Sequence, residues 1–427
     1  MNRLRAHEAK SVYRLIEVRR IDKEKQGKRR WTVRQRRAAI RRSRTLRRRH
    51  ALRWPYPSTY VPGNLVEVYY EGASCYSAML QAIRNADRAV HMETYLLRSD
   101  AMGWTFARAL AERAEAGVEC ALMYDSVGGM PVASDYLAFL RDAGVLVLEY
   151  HPIWPWLWPM RGPYSLNRRN HRKILAVDGQ VAFVGGMNIS DHAMPKKQGG
   201  EGWFDVHLRI EGPAALGLNR LFIEEWVRQG GDELSSPEIA PANPEGVPVR
   251  IVENGRHHRR AMVRAAYMDS LVHARERIWI MNGYFAPDRR FVRALMRAGR
   301  RGVDVRVIVP GQSDINVIMW AGQHLYERLL AAGVRLYEWN ASVLHAKVAV
   351  VDGKWLTIGT YNLDHRSLRY NLEVNAMVLA RETASAVERT LAQAAESCRP
   401  LRLEKWKARS RLARLRSWLC YLFRSWL

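Results

Sequence analysis

Residues 171–188 read HRKILAVDGQVAFVGGMN, and residues 345–362 repeat the same pattern as HAKVAVVDGKWLTIGTYN. In both stretches a histidine, a lysine, an aspartate, two small residues and an asparagine stand at identical intervals. Two copies of so long a pattern rarely arise by chance, so the chain contains an internal duplication. The matched positions are His171, Lys173, Asp178, Gly185, Gly186 and Asn188 in the first copy, and His345, Lys347, Asp352, Gly359, Thr360 and Asn362 in the second.

Each copy predicts a β-hairpin that presents its histidine and lysine together. Asp-Gly stands between two apolar runs in both copies, which is a strong short-range hairpin signal. Residues two apart on a strand face the same side, so the histidine and lysine share a face and the aspartate has the opposite parity. We therefore expect the His and Lys side chains to meet a substrate and Asp178 and Asp352 to shape the hairpins. All six residues are candidate catalytic residues.

The duplication extends outward from these hairpins. The segment 86–95, ADRAVHMETY, matches 275–284, RERIWIMNGY, and both halves alternate β-rich runs with helical segments. This alternation predicts an α/β fold of two homologous domains related by a pseudo-twofold axis. The predicted organisation is a basic, possibly disordered arm over 1–53, a first domain over 54–231, a proline-rich linker over 232–248, a second domain over 249–401 and a basic amphipathic helix over 402–427.

Positive charge is concentrated at the two ends of the chain. The formal net charge is +26, of which residues 1–53 contribute +17 and residues 402–427 contribute +7, leaving +2 for the residues between them. Such a balance excludes a disordered acidic protein. The basic ends can bind nucleic acid through its phosphates, can lie on an anionic membrane, or can be solvated and disordered. Composition leaves these three interpretations open.

The sequence also limits the kind of membrane contact that we expect. It contains no run of about 18 apolar residues, so we expect no helix that crosses a bilayer, and any membrane contact to be peripheral. The first residues lack the apolar core of a secretory signal. The four cysteines have no metal-binding or disulfide spacing, which favours a reducing compartment.

The duplicated residues suit phosphoryl chemistry better than metal binding. An ammonium beside each imidazole repels a divalent cation, and no cluster of cysteines or acids completes a coordination shell, so we expect neither a metal nor a cofactor. Two lysines can instead hold a phosphoryl group by charge-assisted hydrogen bonds, while one imidazole attacks and the other protonates the leaving oxygen. Asn188 and Asn362 are candidate neutral donors to the same phosphate oxygens.

The two patterns resemble the HxKx4Dx6GGxN signature of the phospholipase D superfamily, with Thr360 at the second glycine position of the second copy. The resemblance covers about residues 60–400. More narrowly, METYLL, WFDVHLRIEGP and GTYNLDHRSLRYNLEVN are similar to the bacterial cardiolipin synthase branch, in its members without transmembrane helices. The resemblance implies two domains, each with a mixed β-sheet flanked by helices, and ping-pong phosphatidyl transfer through a phosphohistidine without metal.

By the same resemblance, each histidine has an orienting carboxylate on its other ring nitrogen, and Asp205 and Glu373 match the family's carboxylates. We expect crossed pairs, His171 with Glu373 and His345 with Asp205. We take His171 as the nucleophile and His345 as the acid that protonates the leaving alcohol and then deprotonates the acceptor. The symmetry of the motifs leaves an exchange of these two roles open.

A 15-residue insertion just before His171 predicts contact with lipid. The sequence there, HPIWPWLWPMRGPYSLNRRN, places Trp154, Trp156 and Trp158 among prolines. Tryptophan prefers the headgroup level of a bilayer, so we expect a lip that dips into the membrane or holds acyl chains. The alternative is a loop that packs on its own domain.

The C-terminal segment predicts an interfacial helix with basic flanks, or a helix that docks on the body. Its apolar stripe consists of Leu412, Leu415, Leu419, Leu422 and Trp426. Together with the insertion, the candidate membrane-contact residues are Trp154, Trp156, Trp158, Trp418 and Trp426.

We therefore predict a phosphatidyltransferase of the cardiolipin synthase type, a peripheral protein on the cytoplasmic side of the cell membrane that acts on phosphatidylglycerol or a similar phospholipid. A phospholipase D hydrolase with water as acceptor shares the covalent intermediate and stays open. A phospholipase D-family nuclease is the third hypothesis, and it predicts a basic cleft with stacking aromatics, whereas the body of this chain carries only +2. We expect no nucleic-acid partner, and the sequence leaves the oligomeric state open.

Overall fold

The computed structural model describes residues 60–153, 167–235, 238–255 and 261–425, so the predicted basic arm lies outside the described residues. The described chain forms a 15-stranded mixed sheet flanked by helices. The strands are β1 Val61–Tyr69, β2 Ala89–Thr94, β3 Glu119–Asp125, β4 Leu146–Tyr150, β5 Ile174–Val177, β6 Val181–Gly185, β7 His207–Glu211, β8 Val247–Asn254, β9 Arg277–Asn282, β10 Asp304–Pro310, β11 Arg335–Trp339, β12 Lys347–Val351, β13 Trp355–Gly359, β14 Glu373–Leu379 and β15 Arg399–Leu401.

The helices follow the strands in both halves, as the alternating pattern predicted. They are α1 Gly72–Arg84, α2 Ala101–Glu115, α3 Ser134–Asp142, α4 Ala215–Arg228, α5 Met262–His273, α6 Arg289–Arg300, α7 Asn316–Leu330, α8 His365–Arg369, α9 Arg381–Glu396, α10 Leu403–Lys407 and α11 Arg411–Leu422. The segment predicted as one C-terminal helix is therefore divided in two, because Ser410 begins α11 as its N-cap and accepts a hydrogen bond from the backbone N–H of Ala413 at 3.2 Å.

The strand order repeats between the two halves. From the centre outward, the first half runs β1-β7-β6-β5-β2-β3-β4 and the second runs β8-β14-β13-β12-β9-β10-β11, with β15 at its edge. The halves join where β1 pairs antiparallel with β8. In each half the inner strand pairs are antiparallel, and the pairs among β2, β3 and β4 and among β9, β10 and β11 are parallel, since helices connect those strands. The edge strand β15 pairs antiparallel with β11. The predicted α/β class is confirmed, and the matching orders fit the predicted pseudo-twofold relation.

One hydrophobic core lies under both halves. Its buried members include Ile174 and Leu208 from the first half and Val348 and Val374 from the second. The sheet also runs from one half to the other without a break. The predicted linker, 232–248, follows α4 and ends inside β8. Its boundaries stay a prediction.

The two predicted hairpins are present. Val177 pairs with Val181 across the first turn, and Val351 pairs with Trp355 across the second. Both residues of each Asp-Gly turn have positive φ, 54° and 71° at the first turn and 53° and 58° at the second. This is the backbone of a tight turn that matches strand twist, and Gly adopts it at little cost. No helix in the described ranges is long and apolar enough to cross a membrane.

Candidate active site

The two motif histidines, His171 and His345, line one cavity of about 350 Å³. His171 lies just before β5 and His345 just before β12, at corresponding positions of the two halves. Each of these strand ends is central in its half, so the pseudo-twofold arrangement brings the two rings to a shared site. The cavity wall also includes Tyr95, Arg98, Arg169, Asn188, His192, Glu201, Trp203, Tyr284, Asp314, Ile315, Ile318, Asn362, Asp364, Arg366 and Asn371.

The segment before the first histidine is hydrogen-bonded to the second half. The N–H of His171 donates to the carbonyl of Leu372 at 3.0 Å, and Asn170 forms a parallel bridge with the same residue. Leu372 precedes Glu373, so this contact brings the carboxylate of the second half to the ring of the first. His171 Nδ1 lies 3.0 Å from Glu373 Oε2.

The reciprocal contact joins the second histidine to the first half. The N–H of His345 donates to the carbonyl of Phe204 at 2.8 Å, and Phe204 precedes Asp205. His345 Nδ1 lies 2.7 Å from Asp205 Oδ2. Both crossed contacts expected from the sequence are thus present, and they leave Nε2 of each ring as the nitrogen for reaction with a phosphorus atom.

The motif lysines are buried beside the histidines. Lys173 Nζ donates to the carbonyl of His171 at 2.9 Å, and Lys347 Nζ donates to that of His345. Burial, and next the charge of Lys347, lower the pKa of Lys173 to about 7, and burial lowers the pKa of Lys347 to about 8. Two buried amines beside one cavity favour an anionic ligand, because the charge of a phosphate would stabilise their protonated forms against the effect of burial.

The two orienting carboxylates differ in their ionisation. Burial opposes ionisation of Asp205, but His345 and then Lys347 outweigh it and lower the pKa of Asp205. Burial raises the pKa of Glu373 to about 7, against the hydrogen bonds that it accepts from Ser367 and Thr360. The site is therefore symmetric in composition and asymmetric in charge.

The two histidines also differ in how readily they hold a proton. Burial first, and then the charges of Lys173, Lys347 and His345, lower the pKa of His171 well below its usual value. Burial and Lys347 also lower the pKa of His345, but Asp205 opposes this shift through its charge and its hydrogen bond. His171 is thus held as a neutral imidazole, whereas the pair of His345 and Asp205 accommodates a proton better.

Thr360, which replaces the second glycine of the signature, has a defined partner. Its hydroxyl donates to Oε2 of Glu373. At the corresponding position of the first half, a Cβ on Gly186 would stand 2.0 Å from Oδ1 of Asp205, so that site has no room for a side chain. The second half thus combines threonine at position 360 with a glutamate that its hydroxyl contacts, and the first half combines glycine at position 186 with an aspartate that leaves no room for a side chain.

Asp178 and Asp352 are not brought to the cavity. The carboxylate of Asp178 accepts the backbone N–H groups of residues 87–89 at 2.8–2.9 Å. That of Asp352 accepts those of residues 275–277 at 2.9–3.0 Å. Each aspartate thus ties its hairpin turn to the start of a neighbouring strand, as the parity of the pattern predicted. Both were also named as candidate catalytic residues, and the structure places them at the turn end of the hairpin, away from the cavity. Any part that they take in catalysis would therefore be through the hairpins that they anchor.

The two motif asparagines do line the cavity. Asn188 Oδ1 accepts the N–H of Leu96 at 3.2 Å, which turns its amide NH₂ group away from that contact. Asn362 Oδ1 is buried without a hydrogen-bond partner among the described residues. Their service as donors to a phosphate stays a prediction.

A family model described as "Cardiolipin synthase, PLD-like domain" matches residues 79–216 and 267–394, one segment in each half and together more than half of the chain. The chain belongs to this phospholipase D-like family. Its two matches correspond to the two halves of the sheet.

Curated relatives of this family member are named cardiolipin synthases. The chain is 32% identical over 350 residues to the one from Geobacillus sp. (strain WCH70), covering 80% of this chain and 68% of the relative. It is 35% identical over 320 residues to the one from Geobacillus kaustophilus (strain HTA426), covering 73% of this chain and 62% of the relative. The chain thus spans roughly two thirds of the length of these relatives.

Solved structures show the same fold at low identity. The crystal structure of phosphatidylserine synthase from Haemophilus influenzae Rd KW20 matches with a TM-score of 0.65 and 13% identity, over 89% of this chain and 97% of that one. Polyphosphate kinase from Porphyromonas gingivalis matches with a TM-score of 0.51 and 12% identity, over 78% of this chain and 50% of that one. At such identities the likeness concerns the fold alone.

The structure of this family member adds two tyrosines to the site that the sequence analysis missed. Tyr95 lies with its ring centroid 5.0 Å from that of His171, and Lys173 Nζ is 5.3 Å from the Tyr95 ring. Tyr284 takes the same place in the second half, 5.9 Å from His345 and beneath the second lysine. The signal was available, because the matched segments METY and MNGY both end on these tyrosines.

The predicted membrane-contact tryptophans are only partly within the described chain. Trp154, Trp156, Trp158 and Trp426 lie outside the described residues. Trp418 lies on α11 and is 45% exposed.

Helix α11 docks on the body with one face and exposes an apolar stripe on another. Tyr421 is buried and stacks on His324 of α7, and Arg416 lies 4.3 Å from the ring of Trp320. Cys420 packs against a cluster that includes Tyr284 and Ile318 of the cavity wall. Docking, one of the two sequence alternatives, is thus present for the described part of this helix, and its interfacial role stays a prediction. Its exposed apolar side chains are Leu412, Leu415, Trp418, Leu419 and Leu422, followed by Phe423.

Proposed function

We propose that this protein is a phosphatidyltransferase of the cardiolipin synthase type. It would move a phosphatidyl group through a phosphohistidine to the free hydroxyl of phosphatidylglycerol or a related alcohol. The observation that carries the proposal is the convergence of two histidines on one cavity, each oriented by the carboxylate of the opposite half and each with a buried lysine beside it. The family membership and the names of the relatives support the lipid substrate.

The first half-reaction breaks the bond between phosphorus and the leaving alcohol. Nε2 of His171 attacks the phosphorus of the donor lipid with its lone pair, and the electrons of the breaking P–O bond pass to the alcohol oxygen. His345 donates its proton to that oxygen, so glycerol departs when phosphatidylglycerol is the donor. Lys173 and Lys347 neutralise the phosphoryl oxygens as their charge develops.

The second half-reaction reverses these roles. His345, now neutral, accepts the proton of the acceptor hydroxyl, and the oxygen attacks phosphorus while the P–N bond to His171 breaks. The product is diphosphatidylglycerol when phosphatidylglycerol is the acceptor, and phosphatidic acid when water is. Both histidines return to their starting protonation states.

The asymmetry of the site supports His171 as the nucleophile. A nucleophilic imidazole must be neutral, and the surroundings lower the pKa of His171 well below its usual value. A general acid must begin protonated, and the ionised Asp205 supports a proton on His345. If the roles were exchanged, His171 would be the acid, next to Glu373. The pKa of Glu373 is raised to about 7, so its carboxylate stabilises a protonated imidazole less well than that of Asp205 does.

The exposed stripe of α11 supports peripheral attachment to a membrane. Apolar side chains beside arginines are the composition of an interfacial helix, and Cys420 of this helix packs next to residues of the cavity wall. A lipid drawn from the bilayer would then have a short path to the histidines. We propose attachment to the cytoplasmic side of the cell membrane, where anionic lipids attract basic segments.

Product analysis tests the proposal. The full chain is incubated with phosphatidylglycerol labelled in its phosphate, in mixed micelles, and the lipids are separated. Diphosphatidylglycerol with release of glycerol is expected, together with an acid-labile label on the protein that is missing in His171→Ala. Phosphatidic acid as the sole product would replace transfer by hydrolysis. Cleavage of DNA with no lipid product would replace both by a nuclease.

A further inference from the structure

A second cavity, of about 890 Å³, lies on the other side of α8 from the catalytic one. Residues 365, 368 and 369 face this second cavity, whereas Asp364 and Arg366 line the catalytic cavity. We name it the arginine pocket. Its lining residues are Ala261, Arg264, Asp288, Arg289, Arg290, Arg293, His365, Leu368, Arg369, Tyr370 and Arg424.

The arginine pocket carries six guanidinium groups against a single carboxylate, and that carboxylate is already engaged. Asp288 lies 3.2 Å from Arg264 Nη1 and accepts the backbone N–H of Arg290 at 2.8 Å as the cap of α6. In the described part of the chain, Arg290 and Arg369 have no acidic partner, nor do the other two arginines of α6 in the pocket. Positive charge therefore collects in a concave surface with only one carboxylate to balance it, which is a physical basis for anion binding.

Buried donors in the pocket also lack partners. His365 is only 8% exposed, and neither of its ring nitrogens has a hydrogen-bond partner among the described residues. The same holds for Nε of Arg264 and Nε of Arg424. Burying a polar nitrogen without a partner costs about 1–3 kcal/mol, so several such atoms in one wall indicate a ligand with acceptor oxygens.

The field of the arginines acts on His365 in the expected direction. Burial first, and then Arg424 and Arg369, lower its pKa to about 4. An anion in the pocket would oppose the two arginines and raise the pKa of this imidazole. The histidine therefore provides a spectroscopic probe of occupancy that is independent of catalysis.

The position of Arg424 indicates the kind of anion. It follows Leu422 and Phe423, which are exposed apolar residues at the end of α11. The pocket thus begins where the apolar stripe ends, as expected for a headgroup site next to acyl chains. Guanidinium groups bind phosphate oxygens in bidentate fashion, and several of them suit a phosphate ester better than a carboxylate.

We propose that the arginine pocket binds the phosphate of an anionic phospholipid headgroup, at a site separate from the catalytic cavity. This inference goes beyond the proposed reaction, since it requires a phospholipid surface and no transfer of a phosphatidyl group. The occupant would be a lipid of the membrane to which, under the proposed function, α11 attaches. This lipid is bound without being converted to a product.

Matched variants of α6 test the proposal. Arg290→Gln with Arg293→Gln removes two charges from the pocket, whereas Arg297→Gln with Arg300→Gln removes two exposed charges of the same helix outside it. Flotation of the full chain is measured with phosphatidylcholine vesicles, with and without phosphatidylglycerol, at fixed salt. The measurement is repeated in the His171→Ala background, so that loss of turnover and loss of binding are separate results.

The pocket double variant should bind the anionic vesicles about 25-fold more weakly, since each basic residue at an anionic surface is worth about fivefold. The control double variant should lose less than about threefold, because its guanidinium groups contact no headgroup. Arg369→Gln, on α8, should lose about fivefold. Thermal unfolding of all variants checks that these exposed substitutions leave the fold intact.

Equal losses in the two double variants would overturn the proposal in favour of a diffuse surface charge. Selective loss of inorganic phosphate binding with unchanged vesicle binding would overturn the lipid as the source of the phosphate. Selective loss of duplex DNA binding, measured on filters, would assign the pocket to nucleic acid. A rise in the pKa of the His365 imidazole with dihexanoylphosphatidylglycerol, but not with dihexanoylphosphatidylcholine, would support it directly.

Discussion

Replacing Glu373 by Gln tests the orienting role of this carboxylate with almost no change of shape. Glu373 is fully buried, lies 3.0 Å from Nδ1 of His171 and accepts the hydroxyls of Thr360 and Ser367. Glutamine keeps the volume but offers an NH₂ group as well as an oxygen. It can therefore donate to Nδ1 and stabilise the tautomer with its proton on Nε2, the nitrogen that must attack.

The expected loss can be worked from the distance. Once Nε2 of His171 is bonded to phosphorus, the ring carries positive charge opposite the carboxylate of Glu373. Two unit charges 3.0 Å apart interact by about 5.5 kcal/mol at an effective dielectric constant of about 20. At about 1.4 kcal/mol per factor of ten, this corresponds to a fall in turnover of about 10⁴-fold.

The assay measures release of glycerol from phosphatidylglycerol in mixed micelles, above the pKa of about 7 of Glu373, where the native carboxylate is ionised. Glu338→Gln is the control, because it removes another buried carboxylate, on β11 and bonded to Arg399, that does not line the cavity. Control turnover should change less than about threefold. A folded Glu373→Gln protein with turnover within about tenfold of the native value would refute the orienting role.

Three further predictions follow from the charge and exposure of particular groups. Inhibition by sulfate, whose charge is constant near neutral pH, should weaken as pH rises through about 7 to 8, because Lys173 and Lys347 lose their protons there. The variant Lys173→Met should flatten this dependence on pH. An unchanged dependence in the variant would mean that sulfate binds elsewhere. Chelation by EDTA should leave turnover unchanged, since two buried ammonium groups repel a divalent cation; a loss that added metal restores would contradict the metal-free mechanism. Leu419→Gln and Phe423→Gln should each weaken vesicle binding by about 1 kcal/mol, because each removes apolar area that would be buried in the membrane. Val227→Gln on α4, whose exposure lies between those of Leu419 and Phe423, should leave binding unchanged, and equal effects would exclude α11 as the membrane face.

Local sequence patterns predicted the elements that hold the site. Short apolar runs on both sides of Asp178-Gly179 predict a hairpin, because the turn conformation is set by neighbouring residues. The copy around Asp352-Gly353 specifies the same hairpin independently. The resemblance then supplied the family, which the comparisons confirm, and the crossed carboxylates, whose contacts the structure contains.

Other contacts could not be derived from local patterns. Tyr95 and Tyr284 meet the lysines only because β2 and β9 lie beside β5 and β12 in the sheet. The partner of Thr360 was hidden for the same reason, since Glu373 reaches it across neighbouring strands.

The sequence by itself determined that this chain is duplicated, that each copy carries a histidine and a lysine directly before or at the start of a hairpin, and that its charge is concentrated at its ends. Those properties depend on spacing and composition, which are local. Only the tertiary structure decided which of the two carboxylates ionises more readily, which face of α11 stays exposed, and that arginines from α5, α6, α8 and the region directly after α11 share one pocket. These depend on burial and on contacts between distant segments, and neither quantity exists before the chain folds.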